Sequence, residues 1–167
     1  MYWHLYDERD AGEPHGITLY AEKPTLQEEV EWFSSTYRRM LRGDAVHVVA
    51  EIGGRVVGHC TVNRVGRAAG AEDGHVGLLG ILVGQRFRGR GVGRALLRAA
   101  LAAARNRFEV VQLGVHADNA GAKRLYERFG FRLVGSVPRA LKRGGRTIDH
   151  EIMALVFDRP RRAPAKR

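Results

Sequence analysis

Apolar residues along this chain recur at two spacings, one near 3.6 and one near 2, which predict helices interleaved with strands. Leu26, Val30, Phe33, Tyr37 and Leu41 keep helical spacing, and Gly43 stops that run. Pro24 precedes it, and Thr25 and Glu28 stand three apart at its start, the spacing of a capping box. Before it, Trp3 to Tyr6 and Gly16 to Tyr20 read as short strands or extended entry segments. After it, Val46–Ile52 and Val56–Val62 read as strands joined at Gly53-Gly54, a two-residue hairpin signal. Residues 66–74, GRAAGAEDG, read as a mobile loop. There follow a strand from Gly77 to Val83, a helix from Val92 to about Arg107, a strand from Val110 to His116 and a helix from Ala120 to Phe129. Two closing strands, Phe131–Val137 and Thr147–Phe157, complete the order. Antiparallel hairpins flanking a central β-α-β-α unit predict an α+β fold on a mixed, mostly antiparallel sheet.

The joint between the Gly77 strand and the next helix carries the most specific chemistry. It reads LGILVGQRFRGRGVGRALL from Leu79 to Leu97, a strand, a glycine-and-arginine turn and a helix in immediate succession. Glycines 89, 91 and 93 keep side chains away from the main chain. The first-turn N–H groups of a helix lack intrahelical partners, and its dipole adds partial positive charge. Arg88, Arg90 and Arg94 add full charges at the rim, so the turn is expected to bind an anion such as a phosphate group. It is not a P-loop, since no Lys-Ser or Lys-Thr follows these glycines. Nor is it a dinucleotide fingerprint, because the third glycine comes one place early.

Arg86-Phe87-Arg88-Gly89-Arg90-Gly91 matches the signature [QR]-x-x-G-x-[GA], and in this the chain resembles the GCN5-related N-acetyltransferases. A second block about thirty residues on is similar to that family's N-x-x-A-x-x-x-Y-x-x-x-G-F segment. It runs from Asn119 through Ala122 and Tyr126 to Gly130-Phe131. The likeness is carried by residues 74–137, extends more loosely over 45–65 and 146–157, and is thin before 45. It implies acetyl-CoA as donor, held by Arg88, Gly89, Arg90, Gly91, Val92, Gly93, Arg94 and Asn119. It also implies that the donor's extended arm pairs with main-chain groups of Ile81, Leu82 and Val83. The Leu82 N–H would stabilise charge on the thioester oxygen, and Tyr126 would protonate the leaving thiolate. The two central strands would splay apart near Gly77-Gly80 and Gly114.

The general base is open at this stage. Relatives that acetylate protein α-amino groups often carry a glutamate where this chain has Gly114. His75, His116, Glu72, Asp73 and Glu151 remain, alongside water. Glu28, Glu29 and Glu31, with Asp149 and Glu151, would favour a small cationic or amino-acid-like amine as acceptor. The alternatives are a protein N-terminus or lysine, and, further off, a non-catalytic acetyl-CoA-binding module or a nucleic-acid-associated factor.

Bulk properties narrow the setting. At 167 residues and 44% hydrophobic content the chain fits one domain, 1–158, with a basic tail, 159–167, expected to be disordered. Met1 to Asp7 is too polar for a secretory signal and no apolar run approaches the ~20 residues that span a bilayer, so a cytoplasmic location off the membrane is expected. A single cysteine, Cys60, leaves no disulfide framework and no structural zinc cluster, and no metal is expected. The net charge of +10 is polarised. The tail supplies five basic residues and Arg86–Arg107 seven, whereas residues 1–31 hold eight acidic and two basic ones. That distribution suits a phosphate-rich ligand better than a nucleic-acid surface. Homodimer formation is left open.

Overall fold

A computed structural model describes residues 25–66 and 68–158. The predicted strands at Trp3–Tyr6 and Gly16–Tyr20, and the basic tail, lie outside the described residues. Helix α1 spans Leu26–Leu41, and strands β1 and β2 span Ala45–Ile52 and Arg55–Arg64. Strand β3 (Val76–Val83) leads through a short 3₁₀ turn at Gln85–Phe87 into α2 (Val92–Ala104). Then come β4 (Val110–His116), α3 (Ala120–Arg128), β5 (Arg132–Arg143) and β6 (Arg146–Val156). The six strands form one sheet in the order β1-β2-β3-β4-β6-β5, antiparallel except for β3 beside β4. The α+β class and the mixed, mostly antiparallel sheet are therefore as the residue pattern predicts.

Local signals act where expected. The Thr25 side chain accepts from the Glu28 N–H while the Glu28 carboxylate accepts from the Thr25 N–H at 2.7 Å, closing the capping box. Gly53 and Gly54 both take positive φ in the β1–β2 turn. Arg64, buried at the end of β2, donates to the carbonyl of Gly74, where the 66–74 loop ends, and to Asp44 at 3.0 Å. The apolar stripe of α1 faces outward. Leu26, Val30, Phe33, Tyr37 and Leu41 are all exposed, and Thr36 is the buried residue of that helix. Trp32 meets the sheet edge-on, 5.8 Å from His47 and 6.0 Å from His59. Periodicity locates the helix, and the ring contacts of Trp32 show which side of it meets the sheet.

Strand β5 runs on to Arg143, past the predicted end at Val137. Pro138 falls in a register shift between Val137 and Leu141, where its missing N–H interrupts no ladder bond.

The sheet has two unlike faces. Val46, Cys60, Val62 and Leu79 pack with Leu96, Leu97, Ala100 and Leu101 of α2 and with Tyr126 of α3 in one buried cluster. The opposite face of β1 and β2 carries His47 and His59, and α1 covers it through Trp32. Close approach of β2 to β3 depends on Gly58. A Cβ there would stand 2.7 Å from the Leu82 carbonyl and 3.2 Å from the Leu96 side chain. Gly58→Ala is expected to destabilise the fold by about 1–3 kcal/mol through overpacking. Denaturant unfolding checks this, and a variant as stable as the parent would show that the strands have room to part.

Candidate functional site

The glycine turn delivers the chain to α2 with its main chain bare. Gly91 is the N-cap at φ 83, a left-handed conformation that favours glycine, and no side chain caps the helix. The N–H groups that open α2 are thus left for a ligand, with Arg88 and Arg94 beside them on the wall of one cavity. Gly89, Gly91 and Gly93 line the same wall. Arg90 and Val92 do not: Arg90 is exposed outside it, and Val92 packs against the hydrophobic core.

The cavity continues along β3. Only Val76, Gly77 and Leu78 pair with β4, the ladder ending at Leu78↔Gln112, so the two strands part beyond that level, as the splay predicted near Gly77-Gly80 requires. Which groups of β3 this leaves facing the opening follows from its other neighbour. The Gly84 N–H donates to the Val57 carbonyl, and the β2–β3 register is unbroken from Gly58↔Val83 to Arg64↔Gly77. Ladder bonds alternate along an antiparallel pair, so Leu82 exchanges its N–H and C=O with His59, and Leu79, Ile81 and Val83 turn theirs to the opening. The Leu82 N–H, expected as the donor to the thioester oxygen, therefore points into the sheet, although Leu82 is among the residues that line the cavity. Arg88 Nε already donates to the Val83 carbonyl at 3.0 Å.

Helix α3 closes the far wall with Asn119 and Tyr126. Asn119 is the N-cap, accepting from the Ala122 N–H at 3.1 Å. Tyr126 is 7% exposed, 5.9 Å from Phe131, and burial pushes its phenol up to about 12, with Cys60 adding to the rise. The buried Cys60 thiol is itself pushed up to about 12 by desolvation.

Candidates for the base are mostly committed elsewhere. His75, Glu72 and Asp73 are exposed at the start of β3, the end away from the glycine turn. Glu151 pairs with Lys123 Nζ at 2.9 Å. His116 is buried, and its Nδ1 lies 3.0 Å from the Arg143 guanidinium. Arginine has only donors, so Nδ1 accepts, the neutral ring keeps its proton on Nε2, and no lone pair remains for a base. Burial first, and then the Arg143 charge, hold His116 below the usual imidazole range. At Gly114 an added Cβ would overlap the His150 ring, so His150 fills the space over that glycine.

Of the acids expected to favour a cationic acceptor, Glu28 caps α1 and Asp149 accepts the Arg139 N–H at 2.8 Å. The residue pattern missed Asp118, Leu125, Arg128 and Arg143, which line the cavity. Gly121, Leu125 and Arg128 share one face of α3 at spacings of four and three, a signal that points to Arg128 once that face is known to line the cavity. Nothing in the sequence signals Arg143.

Residues 5–131 match the family model described as acetyltransferase (GNAT) family. The chain is 36% identical over 111 residues to the L-amino acid N-acetyltransferase AaaT of Escherichia coli (strain K12), covering 65% of this chain and 67% of that one. Among solved structures, a ribosomal-protein-alanine N-acetyltransferase from Brucella melitensis superposes with a TM-score of 0.77 at 26% identity, over 92% of each chain. The yncA protein of Salmonella typhimurium, a putative acetyltransferase solved with acetyl-CoA, shares the fold with a TM-score of 0.78 at 21% identity, over 99% of this chain and 94% of that one. A family match across most of the chain, on a fold these acetyltransferases share, makes this protein a member of the acetyltransferase (GNAT) family and an acyltransferase of the N-acetyltransferase type.

Proposed function

We propose that the protein moves the acetyl group of acetyl-CoA to the primary amine of a small, amino-acid-like acceptor by direct attack in a ternary complex. One observation carries the reading. A single cavity of about 950 Å³ joins the uncapped start of α2, the β3 edge and Tyr126. Those groups suit acetyl-CoA: an anion cradle for its pyrophosphate, an unpaired strand edge for its amides and a proton donor for its sulfur. When bound, it supplies an activated acyl carbon.

The chain's own groups do the rest. Arg88, Arg94 and the first-turn N–H groups of α2 hold the phosphates. Ile81 and Val83 hydrogen-bond the extended arm as a neighbouring strand would. The Ile81 N–H takes the oxyanion role first given to Leu82, because alternation turns it toward the opening. Tyr126 donates a proton to the departing sulfur. With Glu151 and His116 committed, water takes the proton from the attacking amine.

Likeness to an L-amino acid N-acetyltransferase supports the acceptor class. A second reading, acetylation of a protein N-terminus, is favoured by likeness to the ribosomal-protein-alanine enzyme. Incubation with acetyl-CoA and a panel of amino acids, amines and N-terminal peptides tests both, read by thiol release and by mass spectrometry of the product. Amino acids alone turning over supports the first reading, peptides alone the second, and no N-acetyl product would overturn both. Deleting residues 159–167 removes five positive charges and is expected to leave acetyl-CoA affinity and turnover unchanged. A large loss would put the tail in the site and move the proposed domain end at 158.

A further inference from the structure

We infer that Arg143 receives an acidic group of the acceptor, the carboxylate of an amino acid, and so selects among amines. The inference rests on the transfer proposed above. Arg143 lines the same cavity as Leu82, Asn119 and Tyr126, and His116 Nδ1 holds its guanidinium at 3.0 Å. The guanidinium is a planar fork of N–H donors whose geometry suits a carboxylate.

Its position is not an accident of a long side chain. In strand order β5 lies outside β6, so Arg143 starts two strands from His116, roughly 10 Å at the ~4.8 Å spacing of a flat sheet. Its partner Arg146 lies four residues along β6 from His150, the partner of His116, roughly 13 Å more at ~3.3 Å per residue. No arginine side chain spans that distance, so the arm must curl. Residues 138–140 supply the bend, standing opposite Asp149 alone in a bulge. Arg139 sits there at φ 56, the one non-glycine residue with positive φ among those described. Asp149 clamps this bend: its carboxylate accepts the Arg139 N–H at 2.8 Å and its carbonyl accepts the Ala117 N–H at 3.0 Å. A disfavoured backbone conformation, fixed from two sides, carries the arm back over the end of β4.

The charge there suits a zwitterion. Glu28, Asp149 and Glu151 are engaged elsewhere, so they do not build a pocket for a simple cation. Arg143 supplies positive charge and Asp118 a carboxylate to the lining of the same cavity, and both bear electrostatically on His116. An α-amino acid meets both, whereas a plain amine meets only the second.

The test uses the full chain saturated with coenzyme A, titrated calorimetrically with the common L-α-amino acids and with their carboxamides, which lose only the negative charge. The best-bound amino acid should exceed its carboxamide by about tenfold or more. Arg143→Gln should weaken the acid by about 10- to 100-fold, leave the carboxamide nearly unchanged and leave coenzyme A affinity intact. Arg143→Lys should restore part of the loss, since it returns the charge without the fork. Equal binding of acids and carboxamides by the parent, or no binding of any member, would overturn the inference. So would an Arg143→Gln variant whose loss falls on coenzyme A, which would make Arg143 a phosphate ligand. Parallel transfer assays separate this from the activity itself. Arg143-dependent binding without N-acetyl product keeps the carboxylate site and sinks the transfer, while acetylation of acids and carboxamides alike does the reverse.

Discussion

Replacing Tyr126 by phenylalanine will lower turnover by about 10²-fold or more and leave the dissociation constant for acetyl-CoA within a few-fold of the parent. The ring and its contact with Phe131 survive the change; only the hydroxyl is lost. With its phenol at about 12, Tyr126 is protonated at every working pH, so a proton is always available. That value raises a difficulty, because an alkyl thiolate in water, near ~8.5, is a poor acceptor from so weak an acid. The same dry surroundings answer it. Cys60, close enough to bear electrostatically on Tyr126, is a thiol in this neighbourhood, and burial pushes it to about 12 as well. A sulfur leaving into equally dry surroundings would gain basicity for the same reason as the phenol loses acidity, which narrows the gap between them. The assay is steady-state turnover on the best acceptor, with single-turnover kinetics to establish that chemistry limits the rate, and calorimetry for the coenzyme. A variant with near-parental rate under those conditions would remove Tyr126 from the proton path and leave water as the donor.

What could be read from residues alone follows a physical division. Elements set by local rules were legible: the capping box at Thr25–Glu28, the Gly53-Gly54 hairpin, and the strand–turn–helix from Val76 to Ala104. The cavity was legible in outline for a related reason, since most of its wall comes from two contiguous segments, 81–94 and 118–128, each with its own spacing. What was not legible depends on pairing between distant strands. The direction of the Leu82 N–H is decided by register against β2, a property of two strands together. Arg143 reaches the cavity lining beyond a bulge clamped by Asp149, and its neighbours in sequence, Lys142, Gly144 and Gly145, carry no sign of that bend. Which side of α1 is covered was not legible either, because an apolar stripe shows that a helix is amphipathic and not what covers it.

Gly91→Glu should reduce acetyl-CoA binding by at least about 10²-fold, because it places a carboxylate at the helix start where the pyrophosphate is proposed to lie. The substitution acts in two ways, and the structure allows them to be separated. At φ 83 any side chain is strained, by roughly 1–2 kcal/mol for a left-handed L-residue. Among the described residues, and apart from its chain neighbours, nothing stands within 4 Å of a Cβ at Gly91, so there is no clash to add. Gly91→Ala therefore carries the strain alone, and is expected to lose some stability while still binding acetyl-CoA. Gly91→Glu carries the same strain plus a negative charge facing the open N–H groups, Arg88 and Arg94. Calorimetric titration of both variants across ionic strength checks this. Parent affinity should fall as salt rises, since part of the attraction is between exposed charges and a Debye length shrinks from ~10 Å at 0.1 M to ~3 Å at 1 M. In the glutamate variant the repulsion is screened by the same salt, so the gap between the two should narrow. Equal loss in the alanine and glutamate variants would trace the effect to backbone strain. A glutamate variant that folds and binds like the parent would move the phosphate site away from the start of α2.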